Sequence, residues 1–188
     1  MKRSMLTVLI VLVITVVMPV AHAKKEALIG TYNIVASNSC HSNPSGFGPE
    51  PLLFEIAPSA LVLATWEGTM KISANGKVVE DSTGQYSLPG FVQPVGNYQS
   101  HCEYTSTPNP SDESFTLDGY CDSQDLSGVA TGVTDHISPI IWRMISTPST
   151  ILLSSIGTRF NVLTTTRNQT FYRICQGHGV GTKSLILP

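Results

Sequence analysis

A chain of 188 residues, 41% hydrophobic and 13% charged with a formal net charge of -2, has the size of one domain rather than two. Its apolar content excludes intrinsic disorder, and its 15 glycines and 12 prolines argue against a helical bundle. No basic excess is present to neutralise phosphates, so nucleic acid is not an expected partner.

At the amino terminus, Lys2 and Arg3 precede an apolar run from Met5 to Val20, followed by Ala21-His22-Ala23. A charged start, a short apolar stretch and small residues at the -3 and -1 positions form the pattern of a secretory signal peptide. The run is shorter than the roughly 20 apolar residues that span a bilayer as a helix. The sequence predicts a signal peptide over 1-23 and one exported domain over 24-188, periplasmic or extracellular, with no stable membrane insertion after cleavage. Lys24 rather than a cysteine follows Ala23, so no lipid modification is expected there.

Downstream, strands are expected over Ala27 to Ser37 and Leu52 to Ile56. The clearest local signal follows: Trp66, Gly68, Met70, Ile72 and Ala74 alternate with polar residues up to Asn75-Gly76, and Lys77 to Ser87 continue beyond it. Period-two patterning into Asn-Gly predicts a β-hairpin with a type I′ turn. Further strands are predicted over Asn97 to Thr107, Ser114 to Cys121, Ile140 to Ser146, Thr150 to Ser155, Arg159 to Thr166 and Thr170 to Gln176. Asn38 to Pro51 and Leu88 to Gly96, rich in Pro, Gly and Ser, read as longer rim loops. No apolar stripe at helical spacing follows the leader. Eight or nine short strands joined by turns predict an all-β domain, an antiparallel up-and-down β-barrel, with a β-sandwich as the alternative.

Cys40, Cys102, Cys121 and Cys175 form an even set in a chain expected to be exported, which favours two disulfides. Three pairings are open. Cys102 and Cys121 lie symmetrically about Thr107 to Asp112, so a hairpin there makes them face each other and leaves Cys40 with Cys175. That second bridge closes a loop worth about 4 to 5 kcal/mol on the chain-entropy view and clasps the first strand to the last. The competing reading, a Cys/His metal site using His41, His101 and His178, lacks the paired spacings of zinc knuckles. No metal or cofactor is expected.

Gly30-Thr31-Tyr32 on the first strand resembles the Gly-x-Trp opening of the calycin group, the lipocalins and avidins, with Tyr32 in the aromatic position. Arg173-Ile174-Cys175 is similar to the ending of a family of small exported bacterial proteins without assigned function, in which His commonly follows. Here Gln176 takes that place and His178 comes two residues later. The resemblance implies a calycin-like barrel able to hold a ligand.

Catalytic patterns are weak. There is no Gly-x-Ser-x-Gly elbow. Gly177-His178-Gly179-Val180-Gly181 has no following helix to make a phosphate loop, and Asp118, Asp122 and Asp125 lack the spacing of a calcium loop. His101 with Glu103, two residues on, is the one acid-base lead. Acids cluster between Lys77 and Arg143 and bases from Arg143 onward, which predicts an acidic and a basic side. The resulting expectation is an exported, non-enzymatic β-barrel binding a small, partly apolar ligand through Tyr32, Trp66, Met70, Tyr98 and Phe160. The alternative is a protein-interaction module, such as an inhibitor of an exported protein, acting through rim loops.

Overall fold

The period-two runs pair with their chain neighbours. The computed structural model describes residues 28-44, 60-87, 96-128, 131-155, 161-166 and 169-184. In it, nine strands form one antiparallel sheet: β1 (Gly30–Asn43), β2 (Ala60–Ile72), β3 (Lys77–Ser87), β4 (Gly96–Pro108), β5 (Ser114–Gly128), β6 (Thr134–Ser146), β7 (Thr150–Ser155), β8 (Asn161–Thr165) and β9 (Thr170–Lys183). Each of β1 to β6 pairs with the next, and β9 returns to β1 over Tyr32↔Lys183 to Asn43↔Tyr172. Both β7 and β8 lie between β6 and β9, pairing with successive stretches of each. They share one position, so the sheet closes as an eight-position up-and-down barrel compatible with the calycin-like fold. Closure satisfies backbone groups that a sandwich leaves bare at its edges.

Several boundaries differ from the sequence expectation. Residues 38-43 belong to β1 rather than to a loop, because Asn38 faces Ala64 on one side and Gly177 on the other. Two complete ladders outweigh the turn preference of Ser and Asn. For the same reason β5 runs on to Gly128, β6 starts at Thr134, and β9 continues through the glycine-rich stretch to Lys183. The expected strand Leu52 to Ile56, residues 1-23, and most of the proposed rim loops lie outside the described residues.

The β2-β3 turn also departs from the two-residue form. Ser73 N–H donates to Lys77 O at 2.9 Å and Gly76 N–H to Ser73 O at 3.0 Å, and Gly76 sits at φ 88°. This is a three-residue loop, a turn followed by a left-handed glycine. At the β4-β5 turn the register is the expected one, with Pro108 opposite Phe115. Asp112 accepts from Ser114 N–H at 2.8 Å and from Arg143 at 2.9 Å.

The tight β2-β3, β4-β5 and β6-β7 turns lie at one end of the barrel, and that half is filled. Tyr32, Ile34, Met70, Val78, Leu117, Met144 and Ile151 are all fully buried there. Tyr32 donates its hydroxyl to Leu28 O at 3.0 Å. Space for them exists because β9 presents glycines inward: a Cβ on Gly181 would lie 2.6 Å from Ile151, and one on Gly177 2.9 Å from Trp142. The stretch read in sequence as a failed phosphate loop is thus a strand whose lack of side chains admits its neighbours.

Both cysteine pairs are cross-strand disulfides. Cys40 and Cys175 join β1 to β9 with Cα atoms 4.1 Å apart, and Cys102 and Cys121 join β4 to β5 at 4.0 Å. Two disulfides suit an oxidising, exported environment, and no helix among the described residues is long and apolar enough to cross a membrane.

Candidate functional site

The other half of the barrel is hollow. A cavity of about 490 Å³ lies above the packed half, walled by residues of β1 to β7 and β9. Its floor is aromatic: Trp66 and Trp142 approach to 6.1 Å between ring centroids at an interplanar angle of 59°, beside Tyr104. Aliphatic wall is supplied by Val62, Ala64, Ile137 and Ile140, and Tyr86, Tyr98 and Phe171 line it further.

Glu80, on β3 opposite Cys102, is set into the floor at 3% exposure. One carboxylate oxygen accepts from Trp66 Nε1 at 2.9 Å and from Ser82 Oγ at 3.2 Å, and the other from the Tyr104 hydroxyl at 3.3 Å. Burial pushes this carboxyl above the usual carboxylate range, and the three donors oppose the shift. The Tyr104 phenol is raised by burial and then by the charge of Glu80.

A second polar group sits on the lining of the same cavity. Asp125, Asp135 and Arg173 all face it, with Tyr98 beside them. Burial, then repulsion from Asp135, pushes the Asp125 carboxyl up to about 6. Asp135 is raised by burial, with Arg173 opposing, and Arg173 is lowered by burial, with Asp135 and Tyr98 opposing. Burial also raises the Tyr98 phenol. Arg173, 8% exposed, donates from Nη2 to Cys40 Sγ at 2.9 Å. Its Nε and Asp135 Oδ1 are buried and find no hydrogen-bond partner among the described residues.

Of the residues singled out in sequence, Trp66 and Tyr98 line the cavity. Tyr32 and Met70 share the inward face but lie in the packed half, each 0% exposed and absent from the cavity wall. Phe160 lies outside the described residues. Tyr86 and Tyr104, which the sequence also suggests as core or lumen-lining aromatics, are on the lining as well, whereas Glu80, Asp125, Asp135, Trp142 and Arg173 were not anticipated there. Parity was the available signal, since Asp125 is four residues from Cys121 and Arg173 two from Cys175, so each shares its cysteine's face.

The histidines do not join them. His101 and His136 are on the outer surface, each 2.7 Å from an aspartate, Asp81 and Asp122 respectively. These four residues run in register across β3 to β6. The Asp81 hydrogen bond is the main cause of a raised His101 pKa. His101 Nε2 is 3.7 Å from Glu103, whose carboxylate is also held by Lys77 at 2.9 Å. Asp118 and Asp122 point outward and Asp125 inward, so the three do not converge. No group of three metal-ligating side chains occurs among the described residues. The predicted segregation of charge is reduced in space, because Arg143 pairs with Asp112 and Arg173 is inside the barrel. No protein-family model matches the sequence, and no curated protein matches it.

Proposed function

We propose that this is an exported, non-enzymatic β-barrel protein that binds a small, partly apolar molecule in its lumen. The observation that carries the reading is the cavity of about 490 Å³, walled by aromatic and aliphatic side chains with a few polar groups; ligand sites commonly have this size and character. The signal-peptide pattern of residues 1-23 and the two disulfides support export to the periplasm or the cell exterior. A kinship with small exported bacterial proteins of calycin-like fold fits the barrel. A binding role is in keeping with Glu80 being engaged by three donors and with His101 and His136 lying outside the lumen.

The chain's two tryptophans, Trp66 and Trp142, both line the cavity, so their fluorescence reports directly on occupancy. Titration with the apolar dye N-phenyl-1-naphthylamine should give saturable energy transfer from tryptophan, weakened by Ile140→Phe, which narrows the lumen without adding a tryptophan. Native mass spectrometry of protein taken from its own compartment should show an added non-covalent mass. A protein that carries nothing and takes up no dye overturns the reading.

The second reading, a protein-interaction module, has its own observation. Val35, Val180, Leu152 and Ile145 are exposed and lie opposite one another in register across β1, β9, β7 and β6. An apolar row on the outer wall is a feature of contact surfaces. Polar substitution of Val180 and Leu152 distinguishes the two, because it abolishes a protein contact and leaves the lumen unchanged.

A further inference from the structure

Arg173 and Asp135 present an unusual pair of orphaned atoms. Both side chains line the one cavity and each feels the other's charge. Arg173 is 8% exposed, and among the described residues its Nε–H has no acceptor and the buried Asp135 Oδ1 has no donor. A buried polar atom without a partner is costly, and here a missing donor and a missing acceptor sit on one cavity wall.

Resting on the lumen-binding reading, we propose that Arg173 and Asp135 form a head-group subsite for a neutral group carrying an N–H donor beside a carbonyl acceptor, the chemistry of an amide or urea. The carbonyl oxygen accepts from Arg173 Nε–H and the N–H donates to Asp135 Oδ1. The remainder of the molecule lies on the apolar wall and on the tryptophan floor.

Neither of the simpler charged heads answers both atoms. A carboxylate would satisfy Arg173 but enter a lumen that already holds Glu80, Asp125 and Asp135, where like charges repel strongly at reduced dielectric. An ammonium would satisfy Asp135 and be drawn by the lumen carboxylates, but it would leave Arg173 Nε bare and set a second cation beside the guanidinium. A neutral donor-acceptor head answers both atoms and adds no charge. This is how a site built for hydrogen bonding discriminates among molecules with the same tail.

The test uses three probes with one tail. Octanamide, octylamine and octanoate are each titrated against the oxidised protein loaded with N-phenyl-1-naphthylamine, at neutral pH. Octanamide should displace the dye at a concentration roughly tenfold lower than either charged analogue, as two directed hydrogen bonds warrant. Asp135→Ala and Arg173→Met should each remove that preference, read as the ratio of the octanamide concentration to those of octylamine and octanoate that displace the dye from the same variant. If Arg173→Met does not fold, Asp135→Ala and the wild-type ranking decide. Equal displacement by all three probes, or a preference for octylamine or octanoate, overturns the subsite and leaves the lumen reading standing. Failure of the dye itself to bind overturns both.

Discussion

Cys40 and Cys175 are direct cross-strand partners on the two strands whose pairing closes the barrel, with Cα atoms 4.1 Å apart and a sequence separation of 135. Cys102 and Cys121, within one hairpin, have a sequence separation of 19. Because loop-closure entropy grows with the logarithm of loop length, the seam bridge is worth about 5 kcal/mol and the hairpin bridge about 3 kcal/mol. The Cys40→Ser/Cys175→Ser double variant should therefore lose about 2 kcal/mol more stability than Cys102→Ser/Cys121→Ser in urea unfolding. Equal losses would show that the seam holds without its clasp.

The seam also illustrates what was legible in the sequence. Cysteine arithmetic and the symmetry of the hairpin led to both bridges, because pairing in a meander is local and numerically constrained. Strand ends were less legible: residues 38-43 and Gly177 to Gly181 look like turn material, and only the partners on either side make them strand. Which inward residues line a cavity and which fill a core was not legible at all. Tyr32 and Trp66 are both inward aromatics, yet Tyr32 lies in the half closed by tight turns and Trp66 at the floor of the open half. That difference depends on how the other strands fill the cross-section. The inward position of Glu80 and Arg173 was not legible either, because a charged side chain in a strand normally points to solvent.

The lumen acids make the folded state more tolerant of mild acid than its exposed ion pairs suggest. Asp125 titrates at about 6 in the fold, against about 3.9 in an unfolded chain. Between those values the native state holds more protons, so stability is highest below about pH 4 for this group and falls as pH rises to about 6. Discounted for a partly open setting, the effect is about 1 kcal/mol. Glu80 and Asp135, also raised by burial, act in the same direction. Asp112 and Glu103 are lowered and oppose it only as pH falls through the lower carboxylate range. The urea midpoint should decrease from pH 4.5 to pH 7, and Asp125→Asn should flatten that slope. An unchanged slope in the variant would assign the effect to another group.

Glu80 organises the floor by accepting from Trp66, Ser82 and Tyr104 together. Removing the acceptor leaves three donors without it at a buried position, so Glu80→Ala should cost about 2 to 4 kcal/mol. Glu80→Gln keeps one acceptor oxygen and the side-chain volume, and should lose less than half as much. Both variants should change the tryptophan emission, since Trp66 Nε1 loses or exchanges its partner. A Glu80→Ala protein of wild-type stability and emission would mean that water replaces the carboxylate without cost.

Gly177 tests why β9 carries glycine where it passes the cavity floor. A Cβ there would lie 2.8 Å from Ser37 O and 2.9 Å from both the Asn38 side chain and the Trp142 ring. The backbone oxygen cannot retreat without disturbing the β1-β9 ladder, so the indole must move and the strand must shift. Gly177→Ala should destabilise the barrel by about 1 to 3 kcal/mol, the usual cost of overpacking, and alter Trp142 emission. The same variant should weaken N-phenyl-1-naphthylamine binding, because the displaced ring forms part of the cavity wall. Lost stability with unchanged dye affinity would separate the packing of β9 from the shape of the lumen.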